Sequence, residues 1–232
     1  MAVDRWLLKQ HELGKHPSTL RFYTWSPPAI SLGYHQKKYP EYWQNLSYQG
    51  DKLDLVRRPS GGRAVLHQGD LTYAVVTSGI AENRLQAYTK ICEFLISGWR
   101  SLGVELNYGQ AGRGYIHNPN CFGTATGADL VLEDGSKLIG SAQLRRGKAI
   151  LQHGSIILQS NADLFEQVFG ENTLEAVELP ENLDQETIIN ALTDAACDSF
   201  NMQLAVEPFS DAQWEEILAL ANEDINCQNV QS

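Results

Sequence analysis

Basic residues are in short supply in this sequence: 18 lysines and arginines stand against 28 aspartates and glutamates, a formal net charge of −10. Nucleic-acid binders carry the opposite excess, so that class is set aside. Cysteine is also scarce, with Cys92, Cys121, Cys197 and Cys227 scattered at no repeated spacing. In a chain of 232 residues such a set is no disulfide framework, and it predicts a reduced, cytoplasmic protein. No apolar run approaches the roughly 18 residues that a membrane span requires. The opening MAVDRWLLKQHELG carries acid and base early and has no small-residue cleavage site, which excludes a signal peptide. Several signatures are missing too. There is no G-x-x-x-x-G-K-[ST] phosphate loop, no C-x-x-C or H-x-x-x-H metal pair, and no G-x-S-x-G nucleophile elbow. The glycines of GQAGRG (109–114) do not match G-x-G-x-x-G.

What remains is an ordinary globular composition, 43% hydrophobic and 20% charged. It suits one domain over 1–232 with a helical C-terminal portion from 161. Periodicity predicts a helix over 2–13 with Val3, Trp6, Leu7 and Leu13 inward. Strands follow at 20–25 and 29–34, either side of Ser26-Pro27-Pro28, then at 53–56, 64–67 and 70–77. Residues 84–102 read as a helix with Leu85, Tyr88, Ile91, Cys92, Leu95 and Trp99 on one face and Gly103 as its stop. A polar, glycine-rich loop occupies 107–128, and a length of this kind inside a compact domain points to function or disorder. A hairpin turning at Asp134-Gly135 and a second turn at RRGK lead into the strand AILQHGSIIL. Helices at 161–169 and 184–200, a strand QLAVEP and a helix from Asp211 close the chain, the last opened by a Ser210/Gln213 capping box. Strands first and helices afterwards indicate an α+β domain.

The stretch LDLVRRPSGGRAVLHQGDLTYAVV (53–76) stands apart. Arg57, Arg58, Pro59, Ser60, Gly61, Gly62 and Arg63 come in succession, where a hairpin tip needs one glycine or an Asn-Gly pair. Bare glycine backbone lets amide groups approach a ligand closely, and flanking arginines neutralise a phosphate or carboxylate. A plain tight turn explains the glycines equally well. Arg145, Arg146 and Lys148 form a second cationic cluster, so 57–63 and 145–148 together hold six of the 18 cations. Two solvated turns, or a cationic mouth on an acidic protein, both fit. The cysteines differ by surroundings. Cys92 sits on an apolar helix face and reads as packing. Cys121 lies in the polar loop, where nearby cations favour the nucleophilic thiolate.

These segments, taken in order, resemble the biotin/lipoate protein ligase and octanoyltransferase superfamily. MAVDRWLL resembles its opening helix, LRFYTWSPPAISLGYHQ its first strands, RRPSGGRAVLHQGDLTY its signature loop, and GSKLIGSAQLRRGKAILQHGSIIL its second signature hairpin. Two long motifs in register make the likeness specific. Ser60-Gly61-Gly62-Arg63-Ala64-Val65, with Asn120-Cys121-Phe122 ahead of the hairpin, is closest to the cysteine-dependent octanoyltransferase branch.

The resemblance implies an α+β fold with a mixed central sheet flanked by helices. It implies transfer of an octanoyl group from octanoyl-acyl carrier protein, through a cysteine thioester, to a lysine of a lipoyl domain or glycine-cleavage H protein. No cofactor or metal is then needed, and neither nucleic acid nor membrane takes part; a monomer is expected. The alternative branch, an ATP-dependent lipoate-protein ligase, uses ATP and magnesium to form an acyl-adenylate. Under the transferase reading Cys121 is the nucleophile, and Lys137 ionises it and takes a proton from the incoming amine. Arg58, Ser60, Gly61, Gly62, Arg63 and His67 line the substrate pocket, with Gly140, Ser141, Ala142, His153 and Gly154 from the second motif. The arginines face acidic carrier domains or phosphopantetheine. His67 and His153 read equally well as hydrogen-bonded structural residues.

Overall fold

The protein is seen in a computed structural model that describes residues 1–81, 83–109, 129–170 and 177–229, with side chains described up to residue 222. The chain opens with α1 (Ala2–Glu12), β1 (Thr19–Tyr23), β2 (Ala29–Leu32) and a 3-10 turn at Glu41–Asn45. Short strands β3 (Ser47–Tyr48) and β4 (Asp51–Lys52) precede β5 (Asp54–Arg57), β6 (Val65–His67) and β7 (Asp70–Ser78). Then come α2 (Arg84–Ser101), β8 (Asn107–Tyr108), β9 (Asp129–Val131), β10 (Lys137–Arg146) and β11 (Ala149–Ile157). Three helices follow: α3 (Ala162–Phe169), α4 (Gln185–Phe200) and α5 (Asp211–Asn229).

Six strands form one antiparallel sheet in the order β1-β7-β11-β10-β9-β8. A second sheet, β5-β2-β6, is mixed: β2 runs parallel to β5 and antiparallel to β6. The α+β class therefore holds, with the parallel pairing carried by the smaller sheet.

Alternation along β7 sorts the two faces of the large sheet. Leu71, Tyr73 and Val75 pack with Ile91, Leu95 and Trp99 of α2 and with Leu192 of α4. Ala74 and Val76 pack instead with Val3, Trp6, Leu7 and Leu8 of α1 and with Ile217 of α5. Helices thus cover both faces of the middle strands, which is why eight of the nine β7 residues are buried. A third core joins Ile30 and Leu32 of β2 to Trp43 and to Leu164, Phe165 and Val168 of α3. Burying side chains of this size stabilises by about 1.5–3 kcal/mol each.

Helix ends follow local chemistry. Asn83, Asn161 and Asp184 accept from the amides of Gln86, Leu164 and Thr187, each three residues on. At α5, Ser210 N donates to Gln213 Oε1 at 2.8 Å and Gln213 N to Ser210 Oγ at 3.4 Å, the reciprocal pair expected of a capping box. No described helix is long and apolar enough to cross a membrane.

Three expectations fail. QLAVEP (203–208) forms no strand, and its residues are exposed, Val206 wholly so. Leu13 lies beyond the end of α1, and Leu85 sits in the first turn of α2 ahead of the buried stretch that begins at Ala87; both are exposed.

Candidate active site

The arginine-glycine segment is not a hairpin tip. β5 and β6 do not pair with each other; they flank β2 on its two sides, so residues 58–64 cross over the end of β2. That crossing brings the loop against Gly33, the residue after β2. A Cβ on Gly33 would lie 1.8 Å from Gly62 O, so only a bare backbone fits. Gly62 itself has φ +99°, in the region that favours glycine. Gly61 has open space where a Cβ would stand.

Arg58 organises this crossing from inside. It is 5% exposed, and its five donors are all engaged. Nη1 reaches Ser31 O (2.9 Å) and Ser31 Oγ (3.2 Å), Nε reaches Gly61 O (3.2 Å), and Nη2 reaches Gly61 O (3.0 Å) and Arg63 O (2.5 Å). Arg57 Nη1 donates to the carbonyls of Gly33 and Gln36, both at 2.8 Å. The picture of these arginines facing a partner's acids is corrected here: Arg57 and Arg58 are spent on carbonyls of the protein's own loops. In the second cluster Arg145 likewise turns inward, to Asn83 O at 3.0 Å, while Arg146 and Lys148 are exposed. Arg63 is partly buried, in contact with its surroundings.

Two buried hydrogen-bonded chains converge on the loop. In the first, Ser60 Oγ lies 2.5 Å from His153 Nε2, and His153 Nδ1 lies 3.0 Å from Asp4 Oδ2. Asp4 also accepts from Arg21 Nη1 (2.8 Å) and Tyr23 OH (3.0 Å). In the second, Ser31 Oγ is 2.8 Å from His67 Nε2, and His67 Nδ1 is 2.8 Å from Asp70 Oδ2. Ser155 Oγ donates to that same oxygen at 2.6 Å, and Trp25 stacks on the imidazole at 4.2 Å.

Burial alone would raise the Asp4 carboxyl, but the His153 hydrogen bond and the charges of the N-terminus and Arg21 outweigh it and bring it down to about 2. Burial pulls His153 below the ordinary histidine value despite the pull of Asp4 in the other direction. His153 is therefore neutral near pH 7.

The second motif lies alongside. Ala142 is opposite His153, Ser141 opposite Gly154 and Gly140 opposite Ser155. A Cβ on Gly154 would meet Gly140 O and Tyr73 Cε1, each at 2.6 Å, so that position is filled by the sheet itself. Ser141 Oγ hydrogen-bonds Tyr73 OH at 2.7 Å on the α2 side. β9 pairs with β10 only as far as Gly140, so the outer backbone edge of 141–146 has no partner among the described residues. Lys137 Nζ lies 2.8 Å from Asp129 Oδ1 in a buried ion pair, the side chains 5% and 6% exposed.

Cys121 lies outside the described residues, in the segment that runs directly into Asp129. Of the other thiols, Cys92 is buried, and its surroundings push it up to about 11 by burial. Cys197 is half-buried.

Sequence reasoning missed Asp4, Asp70, Ser31 and Gly33. Asp70 had a local signal, standing three residues after His67 in HQGD. Asp4 had none, being 149 positions from His153. The sequence left a Ser-His-Asp arrangement open but without its G-x-S-x-G elbow; the two found here are assembled from strands, the first helix and the loop at Ser60.

Comparison with known proteins gives a consistent picture. Residues 1–207 match the family Lipoyl protein ligase A/B catalytic domain. The sequence is 38% identical to Octanoyltransferase LipM of Anoxybacillus flavithermus over 208 residues, covering 84% of this chain and 74% of that protein. It is 33% identical to Octanoyltransferase LipM of Oceanobacillus iheyensis, covering 99% and 91%. The fold is similar to that of lipoate-protein ligase A bound with ATP, with a TM-score of 0.78 at 20% identity, covering 95% and 87%. It is also similar to the bipartite lipoate protein ligase of Thermoplasma acidophilum, with a TM-score of 0.72 at 17% identity, covering 94% and 87%.

Proposed function

This chain belongs to the lipoyl protein ligase A/B catalytic-domain family, and on that footing we propose that it is an octanoyltransferase of protein lipoylation. The likeness to octanoyltransferases across 99% of the chain carries the reading. The donor is octanoyl-acyl carrier protein, and the acceptor is a lysine of a lipoyl domain or of the glycine-cleavage H protein.

Cys121 attacks the thioester carbonyl. A bond from its sulfur to the acyl carbon forms, the bond to the carrier's sulfur breaks, and that sulfur leaves as a thiolate. The acceptor amine then attacks the same carbon, forming an amide and returning the cysteine thiolate, while the surplus proton passes to solvent. Exchange between thioesters is nearly isoenergetic and amide formation is downhill, so no ATP, metal or other cofactor takes part. Lys137, fixed by Asp129 at the point where the Cys121 segment rejoins the sheet, supplies positive charge that favours the thiolate. The backbone edge beyond Gly140, which has no strand partner among the described residues, offers amide groups to the acyl oxygen. Gly61 and Gly62 border the pocket with bare backbone, and Ser60 and His67 hold that border in place.

Intact mass spectrometry after mixing with octanoyl-acyl carrier protein tests the reading. One octanoyl mass is expected, removable by hydroxylamine and absent in Cys121→Ser. Labelling that instead requires free octanoate or lipoate with ATP would make the chain a ligase, and no labelling under either condition would leave it neither.

A further inference from the structure

The geometry points to Asp4, in the first helix, as a positioning residue of the acyl site: acting through His153, it holds the Ser60 hydroxyl as an inward-pointing donor and so fixes the backbone of Gly61 and Gly62. This deepens the octanoyltransferase reading and rests on it for the claim that the loop borders the pocket.

Proton bookkeeping along the chain leaves one consistent arrangement. The ionised Asp4 carboxylate only accepts, so the 3.0 Å contact places a hydrogen on His153 Nδ1. A neutral imidazole then has a bare Nε2, and Ser60, 2.5 Å away, must donate to it. Residue 60 is held a second time through its carbonyl, which accepts from Tyr34 N at 2.9 Å. Direction is thereby imposed on the residue immediately before the two glycines.

A companion chain meets the same loop. Ser31 Oγ accepts from Arg58 Nη1 at 3.2 Å and lies 2.8 Å from His67 Nε2, and His67 Nδ1 lies 2.8 Å from Asp70 Oδ2. Arg58 also donates to the carbonyls of Gly61 and Arg63. Asp4 thus reaches the loop at Ser60, while the Asp70 chain reaches it through Arg58. Asp4, His153 and Ser60 are 0%, 3% and 1% exposed. Apolar packing would close such a junction without the cost of burying a charge. What the polar chain adds is a fixed hydrogen-bond direction.

Asp4→Asn tests this without changing volume. Arg21 donates to one oxygen of Asp4, which keeps the asparagine oxygen on that side and turns the amide nitrogen toward His153. The amide then donates to Nδ1, the histidine proton moves to Nε2, and the bond to Ser60 reverses. Histidine nitrogen-15 NMR is expected to report the Nδ1–H tautomer in the wild type and Nε2–H in the variant. Amide exchange at Gly61 and Gly62 should quicken at least tenfold, and kcat/KM for octanoyl transfer should fall 10- to 100-fold. Adding Ser60→Ala to Asp4→Asn should cost less than a further twofold. Tyr23→Phe, which removes another donor from the same carboxylate but leaves the tautomer alone, should keep transfer within twofold of wild type. An unchanged tautomer, unchanged exchange, multiplicative losses, or a Tyr23→Phe defect as large as that of Asp4→Asn would each overturn the proposal. Should Asp4→Asn not fold, Ser60→Ala carries the same exchange measurement, with the same outcome required. The tautomer and exchange arms need no substrate. A wild-type enzyme that never takes up octanoyl therefore sinks the functional reading and leaves this one to be judged separately.

Discussion

Replacing Gly33 by alanine is expected to damage the enzyme although Gly33 belongs to neither signature motif. Its new Cβ would stand 1.8 Å from Gly62 O and 2.8 Å from Gly62 C, both backbone atoms that no rotamer change can move. Ordinary contact requires upwards of 3.4 Å, so the two segments must separate by more than an ångström. Tyr34 N to Ser60 O, now 2.9 Å, would then exceed hydrogen-bonding range, and the 2.8 Å bond from Arg57 to Gly33 O would be strained. One lost hydrogen bond costs about 1 kcal/mol and overpacking about 1–3 kcal/mol. A total of about 2–4 kcal/mol lowers Tm by roughly 5–15 °C in a domain of this size. An ångström of displacement beside the reacting carbonyl is worth up to about 10²-fold in rate. Differential scanning calorimetry and a steady-state octanoyl-transfer assay measure the two effects. Gly61→Ala is the matched control for stability, since open space surrounds that position; its Tm should stay within about 1 °C, any defect being confined to catalysis. A Gly33→Ala protein with wild-type Tm and rate would refute the crossing as described.

Lys137→Met removes the ammonium facing buried Asp129 and should destabilise by about 3–5 kcal/mol, most of it recovered on adding Asp129→Leu; urea denaturation reads both. Asp4 and His153 both bind protons less readily in the folded state than in the unfolded state. Their contribution is therefore complete above the ordinary histidine value of 6.5 and is lost on acidification, the Asp4 share of about 2 kcal/mol going as pH falls from 3.8 towards about 2. Denaturant midpoints for wild type and Asp4→Asn should accordingly approach each other as pH falls towards about 2. Ser210→Ala breaks the reciprocal cap of α5 and should lower stability by about 1 kcal/mol, visible as a small drop in Tm without loss of activity.

The sequence revealed the elements that depend on short-range physics. The Ser210/Gln213 cap, the Gly103 helix stop and the Asp134-Gly135 turn are written within a few residues of where they act. It did not reveal what crossing and long-range assembly create. RRPSGGR reads as a turn until β2 is seen to lie between β5 and β6. Only then does Gly33 become a contact residue and Arg58 an internal strut. Ser60, His153 and Asp4 come from three distant parts of the chain, and no local period links them. QLAVEP has strand-forming residues, but strand propensity is realised only through packing and pairing, and these residues are exposed and unpaired among the described residues.

The first helix rests on the last. Trp6 Nε1 donates to Glu216 Oε2 at 2.7 Å across 210 positions, Trp6 meets Phe209 edge-to-face at 5.7 Å, and Ile217 shares the core beneath α1. A nascent polypeptide therefore holds Asp4 long before the support for its helix has been translated. Until α5 emerges and docks, the amino-terminal helix lacks the apolar cover that Phe209 and Ile217 give it and leaves that surface exposed. A product truncated before α5 would carry both signature motifs but leave the Asp4 helix held only by the sheet.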